Sequence, residues 1–399
     1  MNRVIVSGMG VLSAAGWNLS EFWNTLFHCR ITYGPIANFV SDVNYRIKIG
    51  SKIYDSHWKQ SVPNEILEHY GHAAAYAAFT AQQAAEDSGI TFNQIDPARI
   101  AVVMGTTMGE IGVEEQITEN LYEKNLSCSK KECLKYDPFH IVRAVAQVTG
   151  SRGYAYLIPA ACAAGNYAVS VAKQLIDWNY ADVVIAGGVD VFSRVAFSGF
   201  QRLLSLSPDL CRPFDKKRSG LVIGEGCGIL ILEKEGIRAK QKSYGCVMGT
   251  GLASTAYHMT APHPEAQGEL LAMQKALEDG GVDPEAVDCI SAHGTGTKAN
   301  DRAEALAIRT VFSDVKRIPV SAIKSVLGHS MGAAGALELI ASFLMLQKHI
   351  ILPTANFKEK DEECDLDCVP NIPRPAKLQR ILSNAFAFGG QTSSVLIGE

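Results

Sequence analysis

Cysteine attacks carbonyl carbon as the thiolate, and one cysteine of this chain sits where that chemistry is favoured. Cys162 lies in Tyr154-Ala155-Tyr156-Leu157-Ile158-Pro159-Ala160-Ala161-Cys162-Ala163-Ala164-Gly165, which reads as strand, sharp turn, helix. Pro159 ends the strand, and an apolar stripe at Ala168, Val171, Ala172, Leu175 and Ile176 begins the helix. A thiol at that point faces unpaired backbone N–H groups and the positive end of the helix dipole, so the spacing predicts a stabilised thiolate. Small neighbours let a substrate carbonyl approach, and the Cys162 N–H can face the oxyanion formed on attack. A cysteine is more often a buried structural group, and most of the others are read that way.

Two histidines could serve that thiol. His293 leads His293-Gly294-Thr295-Gly296-Thr297-Lys298-Ala299-Asn300-Asp301-Arg302-Ala303-Glu304, at the end of an apolar strand. His329 sits in Lys324-Ser325-Val326-Leu327-Gly328-His329-Ser330-Met331-Gly332, just before a helix. Ends of strands and helices are where active-site groups gather. A lone histidine is more often a satisfied core or surface group, but two in glycine-rich turns beside a thiol elbow point to catalysis. Asp301 and Glu304 cap or solvate the next helix, or Glu304 reaches a catalytic water network. Lys324 is an ion-pair partner or an electrostatic aid. The Gly-Thr-Gly turn lacks a following Gly-Lys-Ser/Thr, and no Gly-x-Gly-x-x-Gly follows a first strand, which argues against a phosphate loop.

The elements that must position these residues repeat. Gln82-Gln83-Ala84-Ala85-Glu86-Asp87-Ser88-Gly89-Ile90 matches Gln274-Lys275-Ala276-Leu277-Glu278-Asp279-Gly280-Gly281-Val282. Each stops a helix at glycine, then passes through Asp-Pro into an apolar strand, Ile100–Met104 or Val287–Ala292. The stripe after Cys162 matches Ala336, Leu339, Ile340, Phe343 and Leu344 after His329, both spaced as a helix with one buried face. Val183-Val184-Ile185-Ala186 is paired with Ile350-Ile351-Leu352, and Val4 to Ser13 with Cys246 to Ser254. Two such halves imply an α/β protein with helices on mixed sheets. The join is expected near Lys234–Ser243, giving residues 1–238 with the cysteine and 239–399 with both histidines.

The chain has 399 residues, 47% hydrophobic and 20% charged, enough for a large core. A net charge of −4 gives no basic field for nucleic acid. No stretch reaches the roughly 18 uncharged apolar residues of a membrane span. The ten cysteines are irregularly spaced in a long chain, which fits reduced thiols and a cytoplasmic protein. Cys364 and Cys368 have no second pair nearby and are read as incidental rather than zinc ligands.

Taken together these motifs resemble the β-ketoacyl-acyl-carrier-protein synthases, in particular the elongating type II branch, and also type II polyketide ketosynthases. The resemblance runs nearly the whole length. It includes Val6-Ser7-Gly8-Met9-Gly10, Arg212-Pro213-Phe214-Asp215, Gly224-Glu225-Gly226 and Asn384-Ala385-Phe386-Ala387-Phe388-Gly389-Gly390. It implies the thiolase fold, duplicated halves in a five-layered αβαβα core. It implies an acyltransferase that holds an acyl group on Cys162, with His293 and His329 assisting decarboxylation of malonyl carrier protein. Lys324 and Glu304 would support the site. Phe388 would gate it and complete the oxyanion hole, and Tyr257-His258-Met259-Thr260 would be a mobile segment near the entrance. No cofactor or metal is implied, because substrates ride on the phosphopantetheine of the acyl carrier protein. The other implied partner is a second copy, or a ketosynthase-like chain-length subunit in a heterodimer. Lys216-Lys217-Arg218 and Lys130-Lys131 are candidate carrier contacts.

The chain departs from the family where Ala161 and Ala163 flank the cysteine, at Lys298-Ala299-Asn300, and at Gln391-Thr392. These touch the pocket rim, so acyl length and pathway, fatty acid or polyketide and polyene, stay open. A CoA-dependent thiolase is the first alternative, but the closing Phe388-Gly389-Gly390 segment lacks that family's second cysteine. Initiating synthases carry Asn where His329 stands. A non-catalytic ketosynthase-like subunit would have lost Cys162. A cysteine protease would leave the second histidine motif unexplained.

Overall fold

The computed structural model describes residues 3–36, 45–239, 241–312 and 318–399. Position 240, inside the expected join, lies outside the described residues. The first half contributes strands β1 (Val4–Ser13), β2 (Ile100–Gly105), β3 (Ala155–Ile158), β4 (Val183–Asp190) and β5 (Gly226–Lys234). The second contributes β6 (Cys246–Ser254), β7 (Cys289–Ser291), β8 (Val320–Ser321), β9 (Arg380–Phe386) and β10 (Gln391–Gly398). The helices that matter are α1 (His72–Ser88), α2 (His140–Thr149), α3 (Ala164–Asp177), α4 (Gln267–Gly280), α5 (Lys298–Val311) and α6 (Ala334–Lys348).

The strands run in the order β8-β7-β9-β10-β6-β1-β5-β4-β2-β3. Read outward from the centre, each half shows one pattern. The innermost strand pairs antiparallel with the last strand of its half, that strand pairs antiparallel with the next, and the remaining three are parallel. The halves join where β1 meets β6, Val4 opposite Val247 and Ile5 opposite Cys246. Helices α3 and α6 lie between the two half-sheets, with α1 and α2 outside one and α4 and α5 outside the other. This is the expected five-layered thiolase-like arrangement.

Glycines show how closely the layers approach. A Cβ on Gly8 or Gly10 would lie 2.2 Å from the Ala84 carbonyl oxygen or 2.1 Å from that of Thr80. In the second half, one on Gly249 or Gly251 would lie 2.2 Å from the Ala276 oxygen or 1.9 Å from that of Ala272. The outer helix rests on the central strand in both halves at matching positions. Strands covered on both faces read as continuous apolar runs, and all of β1 is buried accordingly.

Two expectations change. Helix α6 does not bury one face only: Ala334 through Leu346 are all buried, because sheets lie on both sides of it. The run Ile350–Leu352 is not the counterpart of β4. Ile350–Ile351 forms a separate ribbon with Arg374–Pro375, and the chain re-enters the sheet only at β9, which occupies the place β4 has in the first half.

Candidate active site

Cys162 lies in a 3-10 turn, Ala161–Ala163, that leads into α3. Ala161 has φ of +47°, a left-handed conformation that costs a non-glycine residue energy and sharpens the bend. The second half repeats the device before α6: a 3-10 turn, Met331–Ala333, opens with Met331 at φ of +49°. The matching position there is Gly332, whose N–H donates to Asp190 Oδ2 at 2.6 Å. Asp190 is fully buried at the end of β4 and also accepts from Thr106 Oγ1 and from the Thr107 and Met108 N–H groups, at 2.8, 2.9 and 3.0 Å. It therefore ties the loop after β2 to the turn that follows His329. A Cβ on Gly332 would stand 2.6 Å from that carboxylate, so no side chain fits.

His329 is pinned through its backbone by Val222 and Gly224, where the Gly224-Glu225-Gly226 segment begins. The His329 N–H donates to the Val222 oxygen at 2.6 Å, and the Gly224 N–H donates to the His329 carbonyl at 2.8 Å. Its Nδ1 accepts from the Met331 N–H at 3.2 Å. A neutral imidazole with Nδ1 accepting carries its proton on Nε2.

His293 follows β7 and is held by Glu304 of α5. Glu304 accepts from the His293 and Gly294 N–H groups, both at 2.8 Å, and from Asn384 Nδ2 at 3.2 Å. Lys324 Nζ donates to the His293 carbonyl at 2.7 Å and lies 3.3 Å from its Nδ1. An ammonium has only protons to offer, so Nδ1 must accept, and Nε2 again carries the hydrogen. Both rings are thus Nε2–H donors, packed edge to face with centroids 5.3 Å apart.

Burial sets the charges. Both imidazoles are pushed well below their usual range by desolvation, with the Lys324 charge acting the same way, so they are neutral at physiological pH. Burial pushes the Cys162 thiol up to about 12, with Lys324 pulling against it. Burial therefore works against the thiolate that the helix terminus and the lysine favour.

Cys162, His293 and His329 all line one cavity of about 130 Å³. Phe388 lines it too, stacked on Phe200 at 5.5 Å. His258 and Thr260 form part of its wall, and the Met259 carbonyl accepts from the Gly389 N–H at 2.8 Å, tying that segment to the turn beside Phe388.

Three participants were missed. Glu338 of α6 is fully buried against Lys324, and burial raises it to about 7 while the lysine opposes. A single acid in the apolar run Ala334-Gly335-Ala336-Leu337-Glu338-Leu339-Ile340 was the available signal. Asp190 at the end of a buried strand, and Phe200 opposite Phe388, are the others.

Several expectations move. Asp301 does not solvate a helix start: it is fully buried and accepts from the Phe214 and Gly296 N–H groups at 2.8 and 3.2 Å. In Lys216-Lys217-Arg218, Arg218 is buried against Asp361 and Asp301, and both lysines pair with Glu359 at 3.0 Å. Lys216 and Lys217 remain exposed, as Lys130 and Lys131 are, and only Arg218 is withdrawn from that patch. Cys364 and Cys368 are buried, and among the described residues no cluster of three or more metal-ligating side chains occurs. Among those residues no helix is long and apolar enough to cross a membrane.

Two family models match the chain: "Beta-ketoacyl synthase, N-terminal domain" over residues 1–236 and "Beta-ketoacyl synthase, C-terminal domain" over residues 244–358. The chain is 33% identical over 413 aligned residues to 3-oxoacyl-[acyl-carrier-protein] synthase 2 of Coxiella burnetii, covering 99% of this chain and 98% of the relative. Among solved structures, the ishigamide ketosynthase/chain length factor superposes with a TM-score of 0.95 at 34% identity, covering 100% and 99% of the two chains. A type II polyketide acyl-carrier protein in complex with its ketosynthase bound to the hexaketide gives 0.92 at 26%, again covering 100% and 99%.

Proposed function

The chain belongs to the β-ketoacyl synthase family, and we propose that it condenses a Cys162-bound acyl group with malonyl carrier protein, using His293 and His329 as the donors that hold the enolate oxygen. The observation that carries this reading is that a thiol and two neutral imidazoles, both fixed as Nε2–H donors, line one cavity.

The first step is transthioesterification. The Cys162 sulfur attacks the acyl thioester, its carbon–sulfur bond to the carrier breaks, and the thiol proton ends on the departing carrier thiol. Because the resting sulfur is protonated, the proton leaves as attack proceeds. The N–H groups of Cys162 and Phe388 face the developing oxyanion.

Malonyl carrier then enters. Its carboxylate carbon–carbon bond breaks, CO2 leaves, and the electron pair becomes an enolate whose oxygen accepts from both Nε2–H groups. A well-placed donor is worth about 3–4 kcal/mol in such a step. The enolate carbon bonds to the acyl carbonyl, the Cys162 sulfur departs, and it takes a proton from solvent. Atoms and charge balance without a redox partner, metal or nucleotide. Lys324 and Glu338 hold the His293 tautomer, Glu304 holds its turn, and Phe388 with Phe200 closes the pocket.

Substrates arriving on an acyl carrier protein fit the relatives, one a synthase named for that carrier and another solved in complex with one. The edge strand of the first half, β3, presents Tyr156 at 41% exposure, with Tyr154 just before it at 43%, which suits a second subunit, either another copy or a chain-length factor. The division at 238/239 belongs to this reading and draws support from the repeated strand order. The ten free cysteines fit a reducing compartment, so we place the enzyme in the cytoplasm.

The test is to incubate the purified chain with a panel of acyl carriers and malonyl carrier and read products by intact mass. Acylation of Cys162, its loss in Cys162→Ala and stalled condensation in His293→Ala are expected. Condensation by Cys162→Ala at the native rate overturns the reading.

A further inference from the structure

Lys324 reaches His293 from a four-residue helical turn, Lys324–Leu327, whose start carries no side-chain cap. So short a turn leaves its carbonyls to outside donors. The Gly328 N–H takes the Lys324 oxygen at 2.9 Å. The next two carbonyls are taken from the other half of the chain. Tyr33 Oη donates to the Ser325 oxygen at 3.0 Å. Thr32 donates to the Val326 oxygen, through its N–H at 3.2 Å and through Oγ1 at 3.1 Å.

The same tyrosine hydroxyl holds the histidine's side of the contact. Tyr33 Oη accepts from the Cys211 N–H at 3.0 Å. Cys211 Sγ donates to the carbonyl of Thr295, in the turn that His293 begins, at 3.3 Å. Asn356 runs parallel to it: its Nδ2 donates to the Ser325 and Cys211 oxygens at 2.9 and 3.0 Å. One buried phenol therefore stands between the backbone that carries Lys324 and the backbone that steers the turn of His293.

A buried tyrosine hydroxyl needs partners, and that need alone could be met by any nearby carbonyl. What sets Tyr33 apart is which groups it takes. Lysine has a flexible four-carbon stem, so its ammonium is only as well placed as the backbone beneath it. Here that ammonium must meet His293 Nδ1 at 3.3 Å and the His293 carbonyl at 2.7 Å together. A shift of either backbone segment breaks the pairing. Tyr33 and Asn356 lie outside the lining of the cavity, so they act through the lysine and not on a substrate.

We propose that Tyr33 is a positioning residue for decarboxylation. It sets the distance between Lys324 and His293, and through it the Nε2–H that meets the enolate, with Asn356 as the second support. This rests on the condensing reading above and adds a residue of the first half to the machinery of the second.

The experiment measures two steps on the same protein: Cys162 acylation by an acyl pantetheine, read by intact mass, and CO2 release from malonyl carrier by the acylated enzyme. Tyr33→Phe removes one oxygen and leaves the ring in place. CO2 release falls about tenfold, the scale of a small misplacement at a reacting centre, while acylation stays within about twofold of the parent. Asn356→Asp tolerates the left-handed φ of +64° at that position and sets a carboxylate oxygen against two carbonyls. It lowers CO2 release in the same direction and serves if Tyr33→Phe folds poorly. Equal loss of both steps, or undiminished CO2 release in both variants, overturns the positioning role and leaves the condensing reading intact. A wild-type chain that is not acylated at Cys162, or that releases no CO2 once acylated, overturns the condensing reading and this inference with it.

Discussion

Lys324 Nζ stands 3.3 Å from His293 Nδ1 while its opposite side is closed by Glu338, so one ammonium fixes a tautomer and neutralises a buried acid at once. Lys324→Met removes both effects. The acid is left buried without its partner, and breaking a buried pair in this way costs about 3–5 kcal/mol of stability. His293 loses the group that keeps its proton on Nε2. Decarboxylation of malonyl carrier should fall by about a hundredfold or more, the scale of losing one oxyanion donor. The double variant Lys324→Met with Glu338→Leu should recover stability without recovering decarboxylation. Recovery of both would show that the lysine serves folding alone.

The protonated sulfur makes a prediction opposite to the one the helix terminus alone invites. Burial lifts the Cys162 thiol to about 12, so its thiolate fraction should still be rising at pH 9. Alkylation by iodoacetamide, followed at the Cys162 peptide by mass spectrometry, should climb about tenfold per pH unit from pH 6 to 9. A plateau near neutrality would mean a resting thiolate and would return the helix dipole to first place.

What could be read from residues was what leaves a local mark. The turn around Cys162 is announced by Pro159 and the stripe beyond it, and both histidines by their glycines. The match of Ala84 to Ala276 proved to be a match of packing, since each places its carbonyl on a central-strand glycine. Other features depend on what arrives from far along the chain. Glu338 looks like an odd acid in an apolar helix until Lys324 is set beside it. Asp301 reads as a solvated first-turn acid until Phe214, distant in sequence, donates to it. The charge on Cys162 follows from the volume of protein around it, which no neighbouring residue encodes. Ile350–Leu352 misled because an apolar run records burial and not sheet membership.

The clamp at Asp190 can be tested through the glycine it holds. Gly332→Ala places a methyl group 2.6 Å from the Asp190 carboxylate and 2.7 Å from the Thr107 nitrogen. Neither can yield without giving up hydrogen bonds, so a loss of about 1–3 kcal/mol is expected, as for other overpacked sites. The same turn supplies the Met331 N–H that fixes His329, so decarboxylation should fall as well. Thermal unfolding and CO2 release measure the two effects. A variant as stable and as active as the parent would show that the turn is loosely held.

Glu304 gives a pH dependence whose sign can be worked out. Its carboxyl is raised from an ordinary 4.5 to about 7 by burial, against the N–H groups of His293 and Gly294 that favour the anion. A raised acid binds its proton more tightly in the folded state, so its contribution to stability is fully present below about pH 4.5. It is lost as pH climbs to about 7, by on the order of 3 kcal/mol. Glu304→Gln cannot ionise, and its amide NH2 faces one N–H that the carboxylate accepted, a mismatch worth about 1–3 kcal/mol. The stability gap between parent and variant should therefore be widest near pH 4.5 and narrow toward pH 8, with the other titrating groups cancelling in the difference. Chemical denaturation of both proteins at four or five pH values across that range measures it. A gap that widens with pH would mean that the two backbone donors outweigh burial and that Glu304 is held as the anion, which would place a fixed negative charge beside His293 and raise the basicity of that ring.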